Sequence, residues 1–248
     1  MPGALSLDSE RLISRGPVYL VACDVYSSFQ HLKPKGNLMK VIIIGAGNMG
    51  AAFAKQLLRA GHQVRLTSRS ADKAATLAAV LPGVEVVAAA GAAIDADAVV
   101  VATGFADSVS AIQSLGDVTG KVLIDVSNPL TADYMGLTLG HTTSAAEEIA
   151  RAVPEAIVVK AFNTLFAQVL DKGPAFSNGK KVNVFVASDS DRGKQTVTSL
   201  AQSVGFEVVD AGDLKNSRYL EPLGGLNVYF GYGAGLGTAS APAWMHEA

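Results

Sequence analysis

From Lys40 onward, short β-branched runs alternate with longer Ala-rich segments. Some of the short runs, such as Val41–Ile44 and Ala98–Ala102, are apolar throughout and read as buried strands. Strands of that kind separated by helical segments are the sequence form of repeated βαβ units and a mostly parallel sheet. Eight strands are expected, at Val41–Ile44, Val64–Thr67, Val84–Val87, Ala98–Ala102, Val122–Val126, Ile157–Ala161, Lys181–Ala187 and Glu207–Asp210. Helices are expected at Met49–Arg59, Ala71–Val80, Ser108–Leu115, Ser144–Ala152 and Asp191–Ser203, with Gly61 and Gly205 stopping two of them as C′ glycines. From Leu214 the tail reads as a short helix around Arg218-Tyr219-Leu220-Glu221 and then a packed loop rich in Gly and aromatics. The fold class is therefore α/β: a Rossmann-type, doubly wound sheet with a short C-terminal helical and aromatic extension.

Residues 1–38 show no clear period and end in the polar, turn-rich stretch His31-Leu32-Lys33-Pro34-Lys35-Gly36-Asn37-Leu38. They read as an N-terminal extension, expected to be an upstream addition to a reading frame that starts the domain at Met39. Residues 39–248 are expected to form one domain.

Hydrophobic residues make up 49% of the chain and charged residues 17%, which favours a large α/β interior over a disordered or highly charged chain. A formal net charge of −2 supplies no excess of cations for a nucleic-acid backbone or an anionic membrane surface. The single cysteine, Cys23, cannot form an internal disulfide, and no Cys/His cluster has metal-ligand spacing. The longest early apolar run, Val18–Cys23, is too short to span a bilayer and lacks a basic leader. A cytoplasmic protein with no nucleic-acid, membrane or metal partner is expected.

Chemistry enters at Gly45-Ala46-Gly47-Asn48-Met49-Gly50, which follows a β-branched strand and opens an Ala-rich helix. That context turns a common glycine pattern into a dinucleotide signature. Gly45 permits the tight turn, Gly47 lets backbone approach a pyrophosphate, and Gly50 allows close packing of helix on strand. A strand-helix turn without a ligand is the competing account. At the end of the second strand, where an acid would accept from the ribose 2′-hydroxyl of NAD, the chain reads Thr67-Ser68-Arg69, with Lys73 four residues beyond Arg69. A guanidinium fork and an ammonium suit a 2′-phosphate, so NADP is the expected cofactor.

Together Gly45–Gly50, Thr67-Ser68-Arg69, Asp125-Val126-Ser127-Asn128-Pro129, Lys160-Ala161-Phe162-Asn163-Thr164 and Asn216-Ser217-Arg218-Tyr219-Leu220-Glu221-Pro222-Leu223 carry a resemblance. In this order they resemble the NADPH-dependent coenzyme F420 reductases, from about Met39 to about Leu223. The oxidoreductase domain of the STEAP metalloreductases shares much of the pattern. The resemblance implies hydride transfer between NADPH and a small-molecule redox acceptor, F420 or a flavin. It implies pyrophosphate contacts from Asn48 and Met49, and 2′-phosphate contacts from Ser68, Arg69 and Lys73. Thr103-Gly104-Phe105 would border the ribose and nicotinamide, and Ser127, Asn128 and Asn163 would lie on the acceptor side. The chain departs from the archaeal-type pattern at Phe162-Asn163, where Leu-His is often found, and in its tail Asn227–Gly233. Both departures fall on the acceptor side, where FMN, FAD, a quinone or a metal chelate stay open as alternatives.

Hydride transfer to a flavin-like ring rests on positioning more than on a protein acid or base, and no catalytic proton donor is assigned. His62 reads as a surface turn residue, His31 and His246 as terminal, and His141 as a loop residue near the acceptor. Ser127, Asn128 and Asn163 have a structural reading in which they bond loop backbone. Arg218 and Glu221, at (i, i+3) spacing, read as a helix-surface ion pair. Tyr134 and Met135 read as core or lid residues or, equally, as ring contacts. Tyr229, Phe230, Tyr232 and Trp244 are either anchors of a homodimer or packed on the chain's own sheet. A β-hydroxyacid dehydrogenase or pyrroline-5-carboxylate reductase would carry a long helical C-terminal domain, and only 38 residues follow Asp210 here. An NADPH-sensing or partner-binding module without catalysis is the non-enzymatic alternative.

Overall fold

The computed structural model describes residues 38–245 and 247; all of the expected N-terminal extension except Leu38 lies outside the described residues, as do Cys23, His31 and His246. The described strands are β1 (Lys40–Ile44), β2 (Gln63–Thr67), β3 (Val84–Val86), β4 (Ala98–Val101), β5 (Val122–Asp125), β6 (Ile157–Ala161), β7 (Asn183–Ala187) and β8 (Glu207–Asp210). They form one sheet in the order β3-β2-β1-β4-β5-β6-β7-β8. Every neighbouring pair is parallel except β6 and β7. The strand order reverses between β1 and β4, the switch point at which open α/β sheets bind ligands.

The helices are α1 (Asn48–Arg59), α2 (Ala71–Val80), α3 (Phe105–Gln113), α4 (Ala145–Ala152), α5 (Ala167–Lys172), α6 (Asp191–Ser203) and α7 (Ser217–Val228), which runs into a π-type turn at Tyr229–Gly233. Alternation along β1 divides the core between two faces. Val41 and Ile43 pack with Phe53 and Leu57 of α1, Leu170 of α5 and Leu200 of α6. Ile42 and Ile44 pack on the opposite face with Ile112 of α3 and Ile149 of α4. These strand side chains are buried on both faces, and each contributes roughly 1.5–3 kcal/mol by leaving water. Covering both faces is why Val41–Ile44 of β1 and Ala98–Val101 of β4 read as unbroken apolar runs. No helix among the described residues is long and apolar enough to cross a membrane.

Three features depart from the expected elements. Helix α3 begins at Phe105 because Gly104, not a residue nearer Ser108, is its N-cap, so Phe105 belongs to the helix. Helix α5, only 6 residues long, is too short to show a period in the sequence. Helix α7 runs 12 residues through Pro222, which removes the N–H that would reach the Arg218 carbonyl. The face formed by Leu220, Glu221, Gly224 and Asn227 is buried, and that packing outweighs the lost bond.

Candidate active site

The turn after β1 is built on close backbone approach. The Gly45 amide donates to the Thr67 carbonyl at 2.9 Å, and Gly45 has φ 112, a conformation that favours glycine. A Cβ on Gly45 would lie 2.5 Å from the Ala102 carbonyl oxygen, and one on Gly50 would overlap the Gly45 carbonyl. Gly47 is different: nothing lies within 4 Å of where its Cβ would stand. Its backbone would accept a side chain, so what glycine preserves there is open space.

That space adjoins two helix ends with no side-chain cap. Gly47 caps α1 and Gly104 caps α3, neither with a side-chain bond, and Gly104 also faces nothing within 4 Å. The Ala51 amide donates to the Gly47 carbonyl at 2.9 Å, closing the first turn of α1. The amides of Asn48, Met49 and Gly50 therefore have no acceptor inside the helix. By contrast Ser70, Ser144 and Ser190 close α2, α4 and α6, accepting from the Lys73, Glu147 and Gly193 amides. Free amides and an aligned helix dipole suit a phosphate, and the first turn of α1 has no acid to oppose one. These residues fit a dinucleotide.

At the tip of β2, Thr67 is buried and the Ser68 hydroxyl accepts from the Ser70 amide at 3.2 Å. The Arg69 side chain is 81% exposed and forks onto Asp107, Nη1 to Oδ1 at 3.1 Å and Nη2 to Oδ2 at 2.9 Å. Lys73 is exposed in the first turn of α2. On the far side of the glycine loop, the Ser108 hydroxyl donates to the Gly104 carbonyl and is itself bonded to the Thr103 hydroxyl, each at 3.1 Å.

Beyond β4 lies a charged cluster that sequence reading missed. Lys160, wholly buried on β6, is within 2.7 Å of Asp125 Oδ2, the Ser127 carbonyl and Glu221 Oε1. Asp125 accepts from the Ser127 amide at 2.9 Å, and Glu221 accepts from the Ala145 and Ala146 amides at 2.9 and 3.2 Å. All three donors of the ammonium are used, and each carboxylate has a second partner, which is what permits charge in a dry interior. The carboxylate of Glu221 also takes the two amides that open α4, where negative charge is favoured. The cluster joins β5, β6, α4 and α7 in one polar knot.

Two sequence readings are corrected here. Arg218 and Glu221 do not pair: Arg218 turns to Glu147, with Nε at 2.9 Å and Nη2 at 2.6 Å, while Glu221 turns inward to Lys160. A helix whose buried face meets α4 offers better-placed partners than its own surface. The Arg218 guanidinium, with help from Ser144, holds the Glu147 carboxyl below its ordinary range. His62 is buried, not a surface turn residue: Nδ1 accepts from the Met39 amide at 3.0 Å and Nε2 meets the Ser203 hydroxyl at 2.7 Å. It lies at the amino edge of the sheet, far from the switch point.

Asn128 and Asn163 hold each other. Asn128 Nδ2 donates to the Asn163 carbonyl, and Asn163 Nδ2 donates to Asn128 Oδ1 and to the Leu220 carbonyl, all at 2.8 Å. A Cβ on Gly224 would meet both ends of the Asn128 amide at 2.7 and 2.8 Å, so α7 presses directly on this pair. The Ser127 hydroxyl and Asn163 Oδ1 are buried without a protein partner. Phe162 has φ 59 and sends its ring into the core, edge-on to Phe53 at 5.0 Å and Phe206 at 6.1 Å. Tyr134 and His141 also have positive φ, at 63 and 59, and both are exposed. Among the described residues, the non-glycine positions with left-handed backbone thus fall in the segments that follow β5 and β6. Tyr229, Phe230, Tyr232 and Trp244 are exposed rather than packed on the sheet.

The sheet order, with a glycine-capped helix on each side of its reversal point, defines a Rossmann-type domain whose first turn has the form that fits a dinucleotide. Residues 40–129 match the family model described as NADP oxidoreductase, coenzyme F420-dependent. The F420-dependent NADP reductase of Methanothermobacter thermautotrophicus is 30% identical over 203 residues, covering 75% of this chain and 86% of that protein. Metalloreductase STEAP3 of Rattus norvegicus is 33% identical over 185 residues, covering 74% of this chain but only 36% of that protein's length. A crystal structure from Arthrobacter sp. FB24, assigned as an F420-dependent NADP-reductase, is 33% identical, has a TM-score of 0.71, and covers 81% of this chain and 96% of that one. The chain belongs to the coenzyme F420-dependent NADP oxidoreductase family, and it spans about a third of the length of the metalloreductases it matches.

Proposed function

We propose that this chain binds NADPH across the carboxyl ends of β2, β1 and β4 and passes hydride to a deazaflavin of the F420 type or a related flavin beyond β5 and β6. The observation that carries this reading is the pair of glycine-capped helix ends, α1 and α3, on either side of the switch point, with no acid at the tip of β2. When bound, NADPH supplies the hydride. The loop Gly45-Ala46-Gly47 and the amides of Asn48, Met49 and Gly50 hold the pyrophosphate. Thr67 closes β2 beneath Ser68, Arg69 and Lys73, which receive the 2′-phosphate. Thr103, Gly104 and Phe105 border the ribose and nicotinamide, while Ser127, Asn128 and Asn163 form the acceptor wall. Their shared task is to set two rings at near-contact distance and keep water out, which is where the rate advantage of such a transfer arises.

The reach of the match over the archaeal reductase supports F420 as the acceptor. A second reading, a ferric chelate as acceptor, is supported by the identity with the STEAP metalloreductase, although that match leaves most of the larger protein uncovered. Anaerobic mixing of NADPH-loaded protein with F420, FMN, FAD, a quinone and a ferric chelate tests both. Rapid NADPH oxidation with F420 or a flavin is expected. Oxidation by the chelate alone would transfer the assignment to metal reduction, and tight NADPH binding with no acceptor reduced would defeat the hydride-transfer reading. The exposed Tyr229, Phe230, Tyr232 and Trp244 support pairing of two copies. Sedimentation that gives only monomer would remove it.

A further inference from the structure

The two residues of the Arg69–Asp107 pair come from opposite sides of β1. Arg69 follows β2 and Asp107 lies in the first turn of α3, directly after β4. Ile44, at the end of β1, is paired with Thr67 on one side and Val101 on the other. Neighbouring strands stand about 4.8 Å apart, so the pair reaches across about 10 Å. What lies between its two anchor points is the glycine loop, with the open space beside Gly47 and Gly104. The link is a two-bond fork rather than a chance approach. Asp107 has its own reason to be there, since an acid in the first turn of α3 is favoured by the helix dipole.

We propose that the Arg69–Asp107 pair is a strap over the mouth of the dinucleotide crevice, which every dinucleotide must open and for which only a 2′-phosphate offers a replacement. This rests on the reading of Ser68, Arg69 and Lys73 as the 2′-phosphate pocket. An adenosine entering between the tip of β2 and α3 takes the guanidinium away from Asp107. NADPH returns a phosphate to Arg69, a doubly charged acceptor that matches the same fork. NADH returns nothing. Because the pair is largely exposed, opening it costs little, and Asp107 lowers the affinity for either dinucleotide by about twofold to fivefold. Asp107 is thus a residue that tunes cofactor affinity by occupying Arg69 in the free protein.

Calorimetric titration of NADPH and NADH against the full chain, Asp107→Asn, Arg69→Ala and the double variant tests this. Both positions are on the surface, and thermal melts confirm that each variant folds. Asp107→Asn should tighten NADPH and NADH by the same factor of about two to five. Arg69→Ala should weaken NADPH tenfold or more and yet tighten NADH by that small factor, and adding Asp107→Asn to Arg69→Ala should change neither affinity. If Asp107→Asn weakens or leaves unaltered the binding of both dinucleotides, the strap is wrong. The strap is equally wrong if Asp107→Asn tightens them as much without Arg69 as with it, because the acid would then act only as a distant charge. The pocket reading fails separately, by equal effects of Arg69→Ala on NADPH and NADH, and the Asp107 comparison with NADH stands whichever way that falls.

Discussion

Lys160 Nζ lies 2.7 Å from Glu221 Oε1, and neither side chain has more than 2% of its surface exposed. The two residues are 61 positions apart, and their contact ties α7 to β6. Glu221 spends its other bonds on the first amides of α4, so one carboxylate ties together two helices and a strand. Removing the ammonium would leave Asp125 and Glu221 buried without their cation. Lys160→Met should therefore lower stability by about 3–5 kcal/mol in denaturant titration, and Lys160→Arg should recover part of it. A Lys160→Met protein within about 0.5 kcal/mol of the parent would show that the cluster carries no such role.

His62 gives the stability a pH dependence with a definite sign. Burial holds the imidazole below its ordinary 6.5, and its Nδ1 can accept from the Met39 amide only when unprotonated. A histidine with a depressed folded-state pKa contributes stability that is complete above the unfolded value and is lost as pH falls through the folded value. The melting temperature should therefore decline as pH drops below about 6.5, and His62→Gln should flatten that slope. Asp95 does not confuse the measurement. Hydrogen bonds from Arg65, and then Lys40, hold it at about 2, so its own loss begins only below its ordinary 3.8.

Gly47 and Gly50 should separate binding from folding. Gly50→Ala drives a methyl into the Gly45 carbonyl, and its main effect should be on stability, by several kcal/mol. Gly47 has φ −84 and ψ −172, which alanine adopts freely, and nothing stands near its Cβ. Gly47→Ala should melt within a degree or two of the parent while NADPH affinity falls at least tenfold, on the order of 1.4 kcal/mol. An unchanged affinity would place the pyrophosphate elsewhere.

The strands were legible because burial on both faces leaves an unmistakable mark: Val41–Ile44 and Val99–Val101 are apolar at every position. The antiparallel pairing of β7 with β6 had no such mark, since a strand buried on both faces reads the same in either direction. The glycine loop and the tip of β2 were readable because the motif is local, with backbone and side chains a few residues apart. The Lys160 cluster was not, because its members lie on β5, β6 and α7 and meet only after the sheet is wound. Its one sequence signal is a lysine inside the apolar strand Ile157-Val158-Val159-Lys160-Ala161, which requires a buried partner. The Arg218–Glu221 expectation failed for the same reason: helical spacing gives the nearest partner on the helix, while α4 and β6 supply the ones actually used.

Selection of NADP by the tip of β2, through the 2′-phosphate, is measured most directly by the NADPH-to-NADH affinity ratio of Arg69→Ala. A charge-assisted fork onto phosphate is worth roughly 1.5–3 kcal/mol, so the substitution should cut the preference for NADPH by about tenfold to a hundredfold or more without weakening NADH. A ratio equal to that of the parent, whether both affinities fall together or neither moves, would contradict the assignment of Arg69 and of the pocket it completes.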